Sequence, residues 1–334
     1  MKRLLFIPLI IICLAVLSFQ DARQINFKIQ GEAQGTTYQI SYYHDKEQVT
    51  KYQIDSILEV IDQSMSLYRP NSLISEINRS KKGVILDSHF LYVMKHAFKI
   101  NEDTDGAFDV TVEPLLSAWG FSSTKTETLP SKETIAELLP LVGMDKIAIK
   151  GKRLKKKHPD VSINVNGIAQ GYTVDVLANF LKSQNISSFF IELGGEIKAE
   201  GRKPDGSQFT IGVEGPVNSS GRVSIKHLAY LNNKAITTSG GYNQFIEKDG
   251  KKYIHILDPK TGFPVESDIL SVTILADDAI TADGYDNAVM AMGMSHAMEF
   301  LQQRPAIDGY IVYQRPDGTV LDTMTNGFKT IIKN

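Results

Sequence analysis

Tyr253-Ile254-His255-Ile256-Leu257-Asp258-Pro259-Lys260-Thr261-Gly262-Phe263-Pro264 sets aromatic and β-branched residues directly before a rigid turn, with a histidine, a carboxylate and a hydroxyl within seven residues. Residues 253–257 predict a strand. Asp-Pro followed by Thr-Gly and a second proline predicts a turn held in one shape. His255 is therefore expected near the end of a strand, pointing to one face. It is either a core histidine satisfied by a backbone carbonyl or a proton shuttle, imidazole being the usual acid–base group near neutral pH. The stretch alone leaves both readings open.

Two other stretches break in a similar way. Val161-Ser162-Ile163-Asn164-Val165-Asn166-Gly167-Ile168-Ala169-Gln170-Gly171 alternates apolar residues as a strand does, meets Asn-Gly, and continues as a helix through Val176, Leu177, Phe180 and Leu181. A helix start of this kind offers unpaired N–H groups and the positive end of a dipole, which suits phosphate. It matches neither the Walker nor the dinucleotide glycine pattern, so a plain strand-to-helix turn explains it as well. Residues 276–293 form a helix behind the candidate caps Asp277 and Asp278. Asp283, Asp286 and Asn287 stand at i, i+3 and i+4, so their oxygens project from one face. Hard oxygen donors without histidine or cysteine suit Mg²⁺ better than Zn²⁺. Acids in a first helical turn are also common as solvated partners of the dipole.

With 42% hydrophobic and 22% charged residues, the 334-residue chain reads as ordinary globular protein, long enough for one large or two medium domains. A net charge of −2 gives no electrostatic reason to expect nucleic acid. Met1-Lys2-Arg3 precedes an apolar run over residues 4–17, interrupted by Pro8, which is short for a membrane span and fits a signal-peptide core. Residues 1–22 are read as a signal peptide or N-terminal membrane anchor and 23–334 as the folded domain. That domain is expected to be exported, either periplasmic or attached to the outer face of the inner membrane. Cys13, the sole cysteine, lies in the apolar run, so the domain has no disulfide, cysteine nucleophile or thiolate metal site. Ile12 stands where a lipoprotein signal would want a small residue.

Elsewhere, residues 26–43 predict a strand pair around Gln34-Gly35, and 54–65, 73–78 and 90–104 predict helices. Tyr68 either stacks on a ligand ring or is half buried at a helix end. Gly106 and Ala107 allow close backbone approach. Trp119 reads as a packing residue, and 122–157 as a solvated loop with an edge hairpin. Residues 189–200 are strand-like with Gly194-Gly195 inside, and Glu196 is either a solvated turn residue or a site carboxylate. Thr238 and Ser239 end a further strand and either hold a phosphate oxygen or cap the turn.

Taken together, Gly35-Thr36-Thr37-Tyr38, Tyr68-Arg69-Pro70-Asn71-Ser72, Asp105-Gly106-Ala107-Phe108-Asp109-Val110-Thr111, Leu193-Gly194-Gly195-Glu196, Thr238-Ser239-Gly240, Ala282-Asp283-Gly284-Tyr285-Asp286-Asn287-Ala288 and the stretches at 166–172 and 255–262 resemble the FAD:protein FMN transferases, the ApbE-type family, over about residues 35–329. The resemblance implies an α+β fold of mixed, largely antiparallel sheets with packed helices, related to the T-fold. It implies Mg²⁺-dependent transfer of the FMN half of FAD, a substrate, to a Thr or Ser hydroxyl of an exported or membrane flavoprotein subunit, releasing AMP. Flavin contacts would fall on Gln34, Tyr68, Ala107, Phe108, Asp109, Asn164, Gln170 and Ile256. Metal contacts would fall on the Gly167 carbonyl, Asp283, Asp286 and Asn287, with His255 and Asp283 catalytic. The chain departs from the usual pattern at Gln34 for methionine, Asn164 for aspartate, Gln170 for lysine or glutamate, Glu196 for aspartate and Asn287 for threonine. The acceptor motif of flavinylated subunits is absent, so the target is another protein. An FAD pyrophosphatase giving FMN and AMP, and a non-catalytic exported flavin-binding protein, are the alternatives.

Overall fold

Alternating apolar and polar residues in Ile25–Ala33 and Thr36–His44 form the first hairpin of the molecule, as the sequence predicts. Its turn residues Gln34 and Gly35 both have positive φ, 53° and 77°, the geometry that matches the twist of a tight hairpin. The computed structural model describes residues 24–123, 126, 128–215, 224–241, 245–248 and 251–333. The segment read as an export signal lies outside them.

This hairpin opens an eight-stranded sheet that continues through Phe189–Leu193, Glu196–Glu200, Lys234–Gly240, Ile269–Ala276, Ile307–Gln314 and Val320–Met324. Spatial order is chain order, and every pairing is antiparallel. Helices are inserted between strands: α1 (Lys51–Met65), α2 (Leu73–Arg79), α3 (Ser88–Asp103), α4 (Glu113–Trp119), α5 (Lys132–Leu138) and α6 (Asn166–Ser183) precede the third strand, and α7 (Ala279–Ala291) follows the sixth. The fold is α+β with a large antiparallel sheet.

Each face of the sheet has its own core. Ile191 and Leu193 pack with Val174 and Leu177 of α6, and Val272 and Ile274 share a core with Ile280 and Ala288 of α7. The opposite face, carrying Phe190, Leu275 and Tyr310, is covered by Phe209 and Ile211 of the hairpin Phe209–Glu214 with Ile225–Leu231 and by Phe328. α1 buries Ile54, Leu58, Ile61 and Met65 as a single stripe behind a Thr50/Gln53 capping box. α7 differs: it is buried nearly all round, Asp283 and Asp286 included, because it lies between α6 and the sheet.

Gly171 sets the separation of α6 and α7. A Cβ there would lie 2.3 Å from the Ala279 carbonyl oxygen and 2.7 Å from Asp283 Cβ. Gly171→Ala is therefore expected to destabilise the domain by about 1–3 kcal/mol through overpacking, despite the better helix propensity of alanine. Calorimetry should show a melting point lower by roughly 2–8 °C; an unchanged one would mean that the helices can part without cost.

Three sequence expectations need correction. The strand expected over 253–257 stops at Ile254, and His255 sits in the bend beyond it. The cause is the next hairpin, in which Val265 N–H donates to Ile256 O and Leu257 bridges Pro264. The segment 161–165 joins no sheet. Asn78 replaces a neighbouring strand: its Oδ1 accepts from Ile163 N–H at 2.8 Å and its Nδ2 donates to Ile163 O at 2.9 Å. Region 122–157 contains the expected hairpin, Ile147–Lys150 with Arg153–Lys156, and also α5, capped by Ser131 and anchored by buried Ile135.

Candidate active site

α7 supplies the acids of the site. The Asp278 side chain caps it by accepting from Thr281 N–H at 2.9 Å, and Asp175 of α6 accepts from Ile280 N–H, also at 2.9 Å. This anchoring turns Asp283 and Asp286 inward, leaving them 4% and 2% exposed. Asp283 Oδ2 accepts from Gly171 N–H at 2.8 Å. Burial raises the Asp283 carboxyl to about 7, Asp175 adding to the rise and the Gly171 N–H opposing it. Burial, then the charge of Asp283, drives Asp286 well above the usual carboxylate range.

A third acid joins them from the sheet. Glu196, 9% exposed, opens the strand after the Gly194-Gly195 turn. Its carboxyl is raised by burial and then by the charge of Asp283, and its Oε2 has no hydrogen-bond partner among the described residues. Lys198, the buried ammonium two residues on, is engaged by Asp175 Oδ1 at 2.7 Å. Buried carboxyls held near neutrality for want of a counter-charge, with an oxygen left over, are what a hard divalent cation satisfies. Among the described residues no group of three or more His, Cys, Asp and Glu is placed to hold a metal by itself. A cation here would therefore draw on Asp283 and Asp286 together with amide or backbone oxygens. Asn287 Nδ2 donates to Asp286 Oδ1 at 2.9 Å while its Oδ1 accepts from Ser239 Oγ at 3.2 Å, so an oxygen contact to a cation requires the amide to turn over.

These groups line a cleft of about 370 Å³, within the range of small-molecule sites. Ala107, Phe108, Asp109, Asn164, Gly167, Gln170, His255 and Ile256 share its walls with Asp283, Asp286 and Asn287. Gln34 and Tyr68 lie outside the lining. Gln34 Nε2 donates to Thr173 Oγ1 at 2.9 Å on the side of α6, and Tyr68 is 71% exposed in the loop after α1. Asp109, raised by burial, is wholly engaged: Oδ1 accepts from Thr111 N–H at 2.7 Å and Oγ1 at 2.5 Å, and Oδ2 from Met144 N–H at 3.1 Å. It shapes its loop. Asn164 Oδ1 accepts from Asn166 N–H at 2.9 Å and its Nδ2 donates to Glu113 Oε2 at 2.7 Å, which frames the start of α6. That start has no side-chain cap, and Gly167 departs from helical geometry with φ −81° and ψ 19°. Asn166 N–H is taken by Asn164 and the Ile168 and Ala169 N–H groups by Val165 O, so beside the buried acids this start offers the positive end of the dipole more than free N–H groups.

His255 is half buried and meets the Phe121 ring edge-on at a centroid distance of 6.5 Å. The turn behind it is pinned by Trp119, whose indole N–H donates to Gly262 O at 2.9 Å, and by Gly262 N–H donating to Asp258 O at 2.8 Å. Trp119 is a packing residue, as expected. Glu196 and Glu113 are the polar site residues that periodicity leaves undecided or silent. Their only local signals are the glycine pair before Glu196 and a carboxylate at the proline-containing start of α4.

An α+β domain built on a wholly antiparallel sheet, with buried acids, an open helix start and an imidazole around one cleft, is the class that fold and site define. The model described as the ApbE family matches residues 34–311, and the chain belongs to that family. It is 35% identical over 286 residues to a FAD:protein FMN transferase of Vibrio cholerae, covering 84% of both chains, and 31% identical over 316 residues to one of Haemophilus influenzae, covering 91% of this chain and 90% of the other. Among solved structures, the flavin transferase ApbE from Vibrio cholerae superposes with a TM-score of 0.84 at 32% identity, over 92% of this chain and 99% of that one. The apo form of the Pseudomonas stutzeri flavinyl transferase ApbE gives 0.83 at 31%, over 92% and 97%.

Proposed function

We propose that this chain transfers the FMN moiety of FAD to the hydroxyl of a threonine or serine in an acceptor protein, releasing AMP, and that it requires Mg²⁺. Membership of the ApbE family supports the reaction class. One observation carries the site: buried Asp283 and Asp286, the open start of α6 and His255 share a single cleft. Asp283, Asp286, the Gly167 carbonyl and a turned Asn287 amide would hold the cation, with Glu196 lining the same cleft. When bound, Mg²⁺ supplies charge neutralisation to the diphosphate, the usual main contribution in phosphoryl transfer.

The protein's own groups do the rest. The positive end of α6, at Gly167, faces the phosphoryl oxygens. Phe108 and Ile256 give an apolar wall to the flavin side, and the Asn164 and Gln170 amides give polar contacts. His255 takes the proton of the acceptor hydroxyl as its oxygen bonds to the FMN phosphorus and the bond to the AMP oxygen breaks. Incubating the purified domain with FAD, MgCl₂ and a candidate flavoprotein subunit tests this. Flavin fluorescence that stays with the denatured subunit, matched by AMP, is the expected result; free FMN formed equally without acceptor would make the protein a hydrolase, and intact FAD a carrier. The basic start and apolar run of residues 1–17 support export, which fractionation into periplasm and membrane would check. Among the described residues no helix is long and apolar enough to cross a membrane.

The acids also predict a pH signature. Asp283 has its carboxyl raised on folding from 3.8 to about 7. Below the lower value it is protonated both folded and unfolded and contributes nothing. Between the two the unfolded chain binds fewer protons, so stability falls as pH rises, and the full loss is reached above the folded value. A cation bound to these acids offsets the loss. The metal-free protein should therefore melt lower at pH 8 than at pH 5. Saturating Mg²⁺ should raise the melting point by about 5 °C or more at pH 8, and by much less at pH 5. Equal gains at both pH values would place the cation away from Asp283.

A further inference from the structure

We propose that Asp175 and Lys198 are positioning residues of the cation site: by holding the Lys198 ammonium, Asp175 keeps it off the acids of the cleft and leaves their neutralisation to Mg²⁺. This rests on the reading that Asp283 and Asp286 hold the cation. Lys198 is the one buried cationic side chain among the described residues. It stands two positions after Glu196 in the strand Glu196–Glu200. Alternation puts both on one face, opposite Ile197 and Ala199, which pack into the core on the other side of the sheet. Two steps along a strand cover roughly 7 Å, a distance that the four-carbon stem of lysine spans. Three buried carboxyls that lack a counter-charge should therefore recruit this ammonium.

It is directed elsewhere. Lys198 Nζ donates to Asp175 Oδ1 at 2.7 Å and to the Asp277 carbonyl at 3.2 Å. The other oxygen of Asp175 accepts from Ile280 N–H at 2.9 Å, so one carboxylate holds both the lysine and the first turn of α7. One turn on along α7 and one turn back along α6, Asp283 Oδ2 accepts from Gly171 N–H at 2.8 Å. These two bonds are successive rungs between the helices. The ammonium is tied to the first rung and the cleft acid belongs to the second. Burial raises the Asp175 carboxyl and the charge of Lys198 opposes the rise, while the charge of Asp175 adds to the rise at Asp283, so the two acids are within electrostatic reach. Asparagine at position 175 cannot serve both partners. With its oxygen on Ile280 N–H, its amide N–H₂ faces the ammonium, which keeps only the Asp277 carbonyl. A buried ammonium short of an anion moves to a carboxylate within reach, and along its own strand that is Glu196.

Calorimetric Mg²⁺ titration of the intact chain without FAD, at a temperature where circular dichroism shows each variant folded, tests the proposal. Asp175→Asn should raise the half-saturating Mg²⁺ concentration by about tenfold or more. Adding Lys198→Met, which removes the ammonium as well, should bring it back to within about threefold of the unaltered chain. A crystal structure of metal-free Asp175→Asn should show Lys198 Nζ hydrogen-bonded to Glu196 or Asp283. A double variant as weak as the single one would mean that the pair only holds α7 in place, and an ammonium still at the Asp277 carbonyl would mean that Asp175 does not restrain it; either result overturns the proposal. Should Asp175→Asn not fold, the double variant decides alone, near-unaltered Mg²⁺ affinity supporting the proposal and a tenfold loss overturning it. Asp283→Asn in the same titration separates the underlying reading: an unchanged Mg²⁺ requirement there overturns both, whereas a weakened one without rescue in the double variant overturns only the role of Asp175.

Discussion

His255→Ala should lower the rate of flavin transfer by about 10²- to 10⁴-fold, the range of a general base, while the dissociation constant for FAD should stay within a few-fold of wild type. The split follows from the geometry. His255 belongs to the bend after Lys251–Ile254, whereas the buried acids belong to α7 and the helix start lining the cleft to α6, so truncating the imidazole leaves all of these in place. Pinning of the following turn by the Trp119 indole and the Gly262 N–H also survives the change. Covalent fluorescence on the acceptor against time, at saturating FAD and Mg²⁺, gives the rate, and quenching of free FAD gives the affinity. A wild-type rate would remove the imidazole from proton transfer. Loss of FAD binding would make it a ligand contact in place of a base.

Asp283→Asn has the second large effect, and it divides in two. The half-saturating Mg²⁺ concentration should rise by about a hundredfold or more, as expected when a hard anionic ligand becomes neutral. The metal-free protein should gain stability at pH 8, because a buried carboxylate with its pKa raised to about 7 is replaced by a group that never ionises. The amide oxygen can still accept from Gly171 N–H, so the packing of α6 on α7 is retained. Calorimetric Mg²⁺ titration without FAD, beside thermal melts with and without the cation, separates the two effects. An unchanged titration would move the cation elsewhere. A lower melting point in the metal-free variant would mean that Asp283 is stabilising as an ion, against the burial argument.

What could be read without the structure is what depends on near neighbours along the chain. The Gln34-Gly35 hairpin, the capped helices α1, α2 and α3, and the common face of Asp283, Asp286 and Asn287 all follow from turn chemistry and from periods of 2 and 3.6 residues, which act over a few residues at a time. The segment 161–165 shows where that reasoning stops. Its alternation is that of a strand, yet Ile163 bonds to a side chain on α2, some 85 residues away in sequence, and Asn164 N–H donates to the Val110 carbonyl. Glu196 shows the same limit from the other side: it stays undecided between a turn carboxylate and a site carboxylate until the sheet brings it to α7, where burial and the charge of Asp283 raise its carboxyl. A hollow beside the cleft is likewise assembled from segments near 103, 258, 291 and 299. By itself the sequence determined α1, α2, α3, α6 and α7, the turns and which side chains share a local face, but not α4 or α5. Only the tertiary structure decided which acids are buried together and whether an alternating segment finds a strand partner, because burial and charge proximity are set by contacts between residues far apart in the chain.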